Sequence, residues 1–138
     1  MTPVQSAYLQ YCGGCHGVQG VSAPRSVPSL RGQANQFLCT ARGRAYLIRL
    51  PSIALMPVSD QLLADMMNFV VFGLGDPQAA QSSTPYTQSE VSALRKYPLT
   101  DTGLARYRAD IIAELINRCG APRSLLTGYT DNPLARAP

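Results

Sequence analysis

The run Cys12-Gly13-Gly14-Cys15-His16 constrains this chain more than any other feature, because it gathers two of the four cysteines and the sole histidine. Two thiols three positions apart on a short helical turn can each add to a vinyl group of the same haem. The next residue then lies beneath the iron and offers an imidazole as axial ligand. Gly13 and Gly14 leave room for the flat macrocycle to approach the backbone. Two other chemistries also use paired cysteines. A zinc site needs two more ligands, and Cys39 and Cys119 stand alone rather than in a second pair. A thioredoxin-type redox pair wants a strand before it and a long helix after it, whereas residues 17–36 are rich in Gly, Pro and Ser. The string favours one covalently bound haem c.

Composition narrows the rest. A chain of 138 residues, 46% hydrophobic and only 14% charged, can bury a core and is no disordered tail. Its longest apolar run, Phe69 to Leu74, is far too short to span a membrane. Net charge is +4, unevenly laid out: residues 1–59 hold Arg25, Arg31, Arg42, Arg44 and Arg49 and no acidic residue. Nucleic acid is a poor partner for this charge, since there is one lysine and no recognisable binding motif. No charged segment followed by an apolar one opens the chain, so a secretory leader is not visible.

The chain resembles a single-haem class I cytochrome c over roughly residues 3–75, and the likeness extends beyond the cysteine motif. The family opens on a helix with an aromatic four residues before the first haem cysteine, a place held by Tyr8, although Val4 stands where the family has a small glycine. It continues with a proline loop whose carbonyl accepts the histidine's second N–H. Val27-Pro28-Ser29-Leu30-Arg31-Gly32 fits, with Pro28 as the acceptor that would fix the ring and raise its basicity. A Met-Pro then precedes the last core helix, as Met56-Pro57 does. The resemblance implies an all-α, class I cytochrome c-like haem domain, Met56 as sixth ligand, a carrier of single electrons, and a periplasmic setting with its leader removed. A neutral, soft thioether favours ferrous iron, as a carrier needs. Met66 and Met67 are competitors, but they sit inside a helix pattern where methionine usually fills core.

Cys39 leaves an alternative open. It is one half of a disulfide with Cys119, a free buried thiol, or a distal thiolate ligand, which would suit a gas-binding or redox-sensing haem. Arginines pair with carboxylates, so Arg31 and Arg44, with Arg42 and Arg49 as further candidates, are expected at the haem propionates, and Tyr46 beside the haem. Remaining positive charge would steer an acidic redox partner. With one histidine and no nucleophile–base pair, the chain reads as a carrier and not an enzyme.

Helices are expected over 4–16, near 41–50 with a stop at Pro51, from a Ser59 cap to about 73, from a Thr87/Glu90 capping box to about 96, and from Asp101 or Thr102 to about 118. Residues 17–36 read as a loop around the haem. The helix after Ser59 is apolar nearly all round and so needs cover on several sides. The haem core is assigned to 1–75 and a helical extension to 76–138. That extension would pack on the core or on a partner, either a second copy or a larger complex that the protein serves as electron-transfer subunit.

Overall fold

The computed structural model describes residues 2–13, 33–74 and 83–126, and among these it is all helical. Helix α1 (Pro3–Tyr8) begins on a reciprocal cap: Thr2 Oγ1 accepts from Gln5 N–H at 3.1 Å while Gln5 Oε1 accepts from Thr2 N–H at 2.8 Å. Pro3 occupies the first turn, where its missing N–H costs nothing. The helix then widens into a π-turn, Leu9–Gly13. The expected helix is therefore α-helical only to Tyr8, and residues 14–16 lie outside the described part.

A short 3-10 segment, Ala34–Cys39, leads into α2 (Ala41–Arg49), capped by Thr40, whose Oγ1 accepts from Gly43 N–H at 2.9 Å. The expected loop thus ends before Ala34, because Ala34, Phe37 and Leu38 are buried and draw the backbone into a turn against the core. Pro51 does end α2, but it also opens a single-turn helix, α3 (Pro51–Ala54), since proline suits a first helical position. Ser59 caps α4 (Asp60–Asn68) through a bond from Leu62 N–H at 3.1 Å, with Asp60 in the first turn beside the positive end of the dipole. A second π-turn, Phe69–Gly73, prolongs it.

Thr87 caps α5 (Gln88–Leu94), accepting from Glu90 N–H at 3.2 Å. Only half of the expected capping box forms, because the Glu90 carboxylate turns away to Arg44. Helix α6 (Leu104–Cys119) starts after Gly103, whose φ of 73° lets the chain turn left-handed; neither Asp101 nor Thr102 caps it. Gly120, at φ 65°, ends it in the same conformation. On the outer face Glu114 and Arg118 form an i,i+4 ion pair at 3.7 Å, while Arg106 and Asp110, whose spacing would also allow one, are exposed.

Helix α4 packs on α1 along one side and on α5 along another, which satisfies its many apolar faces. Tyr8 and Phe69 meet edge to face, ring centroids 5.4 Å apart, so the two helices touch where each gives way to its π-turn. Phe37, Tyr46 and Tyr107 form a stacked row at 5.4 and 6.1 Å, joining the 3-10 segment, α2 and α6. One apolar cluster runs from Tyr8 through Leu63 and Val71 to Val91, Ile111, Leu115 and Leu125. It crosses residue 75, so the helices beyond that point complete the same core.

Candidate functional site

Widening of α1 at Leu9 decides where the motif's first thiol goes. In the π-turn Cys12 is 8% exposed, while its neighbour Tyr11 turns outward at 38%. Such turns recur at functional positions because the extra residue re-aims a side chain. Cys12 is a buried thiol outside the disulfide. Cys15 and His16, and also Pro28 and Arg31, lie outside the described residues.

Met56 sits in the loop between α3 and α4 and is 7% exposed, in the same apolar cluster as Cys12, Tyr8 and Tyr46. The loop is irregular but bonded: Met56 N–H donates to Ile53 O at 3.1 Å and Val58 N–H to Met56 O at 2.8 Å. Met66 and Met67 are buried in α4 as core side chains. Tyr46 is buried in the aromatic row and lies in that cluster too.

Cys39 is bonded to Cys119, with Cα atoms 6.5 Å apart. A sulfur in that bond has no thiolate for iron, so the alternative of Cys39 as distal ligand is set aside. The same bond removes both cysteines from any zinc site, and among the described residues no group of three or more His, Cys, Asp or Glu gathers to hold an ion.

Arg44 faces the C-terminal segment instead of the expected propionate. Its Nε and Nη2 donate to the two Glu90 carboxylate oxygens at 2.6 and 2.8 Å, and Nη1 to Thr84 O at 2.7 Å. The Tyr86 ring lies beneath the guanidinium at 4.3 Å. Each nitrogen of this planar cation thus has an acceptor, and one face lies on an aromatic ring. Glu90 holds the Arg44 guanidinium further into its charged range, and burial pushes the Tyr86 phenol well above its ordinary value. Arg49 Nε donates to Tyr97 O at 2.6 Å, and Arg42 lies over the Tyr107 ring at 4.7 Å. Three of the arginines expected around the haem therefore bind other parts of the chain.

Two charged residues here carry no local signal. Arg95, just past α5, reaches the Met56 loop, and Arg108 is buried beneath Phe37 at 5.6 Å. Both contacts depend on helices that sequence periodicity places only individually.

The residues present fit a haem. One motif thiol, able to add to a vinyl group, and one thioether, a soft donor for iron, are both buried in the apolar core with aromatic rings, while Cys39 and Cys119 are withdrawn from metal chemistry.

No protein-family model matches the chain. It is 27% identical over 107 residues to cytochrome c-552 of Thermus thermophilus, the match covering 64% of this chain and 82% of that protein. A second cytochrome c-552, from the Thermus thermophilus strain ATCC 27634, is equally similar, with 72% of its length covered. This distant similarity, with the all-helical fold, supports a c-type cytochrome and electron carrier.

Proposed function

We propose that the protein is a monohaem c-type cytochrome that carries single electrons between other redox proteins. The observation that carries the reading is the Cys12–His16 motif opening from a π-turn that buries Cys12 in the same apolar cluster as Met56. Cys12 and Cys15 would hold the haem covalently, and His16 and Met56 would bind its iron. Pro28 O fixes the His16 ring, and Arg31 is the arginine left for a propionate once Arg44 is engaged by Glu90. Tyr8, Phe37 and Tyr46 wall the site with apolar surface and keep water out. When bound, haem c supplies an iron that alternates between ferric and ferrous states. Iron bound by both His16 and Met56 would have little to rearrange on electron transfer.

The Cys39–Cys119 bond supports an oxidising compartment, in keeping with a periplasmic protein. Among the described residues no helix is long and apolar enough to cross a membrane. Partners are redox proteins, and a docking face rich in carboxylates would suit Arg25, the arginine of the basic first half not otherwise assigned. Raising ionic strength should then slow the encounter.

Met56→Ala is the decisive variant. The ferric protein should show the weak long-wavelength band of thioether-bound haem, and the variant should lose it, bind carbon monoxide readily when reduced, and have a lower midpoint potential. A band that persists in the variant excludes Met56. A wild-type protein that binds carbon monoxide freely is instead a gas-responsive haem protein.

A further inference from the structure

Arg95 leaves the end of α5 and enters the loop that carries Met56. Its Nε donates to Ala54 O at 3.0 Å, its Nη2 to Met56 O at 2.5 Å and its Nη1 to Val58 O at 2.9 Å. Nη1 also meets Asp60 Oδ1 at 3.0 Å, at the start of α4. The guanidinium side chain is only 14% exposed. One planar fork thus takes the carbonyl of Met56 and one on each side of it, and with Asp60 it meets four acceptors, one more than the three N–H groups of a lysine could serve. These bonds all fall within residues 54–60, 35 to 41 residues before Arg95 in the chain.

A neutral thioether is a weak ligand, so the loop that presents it decides how much of the time it stays on the metal. Groups one step removed from a metal ligand commonly change affinity by about 10–100-fold. We propose that Arg95 is a positioning residue that clamps the Met56 loop, so that the C-terminal segment sets how firmly the sixth ligand is held. This inference rests on the reading of Met56 as that ligand.

The test is displacement of the thioether by imidazole in the full-length ferric holoprotein, followed at the thioether band. Arg95→Gln should react at least about tenfold faster than wild type, with Arg95→Lys between them because it keeps the charge but loses the fork. Glu90→Gln is the control, since it loosens the same helix at its other anchor and should leave the rate near that of wild type. Amide hydrogen exchange at Met56 and Val58 should rise in Arg95→Gln alone. An Arg95→Gln rate equal to wild type, or a Glu90→Gln rate equal to that of Arg95→Gln, overturns the clamp. Met56→Ala separates the two ideas. Should the band survive in it, the ligand reading fails and the clamp with it. Should the band vanish while Arg95→Gln stays slow, the clamp alone fails. If Arg95→Gln does not fold, Arg95→Lys carries the comparison, with an expected rise of about threefold and a wild-type rate as the contrary result.

Discussion

Tyr86 shows how one side chain can join three parts of the chain. Its hydroxyl donates to Arg44 O at 2.8 Å, its ring lies under the Arg44 guanidinium, and its backbone N–H and C=O pair with the Asn68 side chain at 2.7 and 3.0 Å. Burial disfavours the ionised phenol, so the folded pKa is raised above the ordinary value of 10.0. The sign follows from linkage. Stabilisation by the neutral phenol is whole below about pH 10 and is lost as pH rises above it, by at most about 1.4 kcal/mol per pH unit. Tyr86→Phe should cost about 1 kcal/mol at pH 8, the value of the lost hydrogen bond. Denaturant unfolding from about pH 8 to about pH 11.5 should show the wild type losing stability faster than the variant, so that the gap closes. Parallel curves would mean that the phenol ionises in the fold as freely as in water.

Helix propensity and packing oppose each other at Gly43, inside α2. Alanine there would gain about 1 kcal/mol of intrinsic helix stability. A Cβ would, however, press into Phe37 O and stand 3.0 Å from Thr40 Oγ1. The nearest atom is backbone of the 3-10 segment, which cannot turn aside as a flexible side chain would. Overpacking of this kind costs about 1–3 kcal/mol, or more. Gly43→Ala should therefore destabilise the protein by about 1–2 kcal/mol net, measured by chemical denaturation, despite improving the helix. Stabilisation would show that the 3-10 segment can move away from α2. The same closeness seats Phe37 against Tyr46, so the aromatic row depends on a residue with no side chain.

Across the whole molecule the C-terminal helices are held by chemistry as well as by apolar contact. The Arg44–Glu90 pair, the Asn68–Tyr86 backbone bonds, the Arg95 contacts and the Cys39–Cys119 bond all join residues before position 75 to residues after it. The disulfide closes a separation of 80 residues, for which the chain-entropy account gives about 4.5 kcal/mol and measured native bridges about 2–5. Paired Cys39→Ala and Cys119→Ala substitution should lower unfolding free energy by about 2–4 kcal/mol while leaving the thioether band of the holoprotein in place. A lost band would place the disulfide, and not Arg95, in control of the Met56 loop.

Much of this protein was legible from local sequence. The paired-cysteine motif, Ser59 and Thr87 as helix caps, Gly120 as a stop and the many-sided burial of α4 all follow from residues within a few positions of one another, whose chemistry is the same in any fold. The all-helical class follows from them. What the tertiary structure decided are the pairings across long separations. Arg44 has a carboxylate 46 residues away, Arg95 has carbonyls 37 to 41 residues before it, and Cys39 has Cys119 rather than iron. An arginine's sequence neighbours say that it needs acceptors and nothing about which it meets. Which carboxylate, carbonyl or sulfur comes within bonding distance is fixed only when the helices pack, because packing one buried face selects the neighbours of all the others.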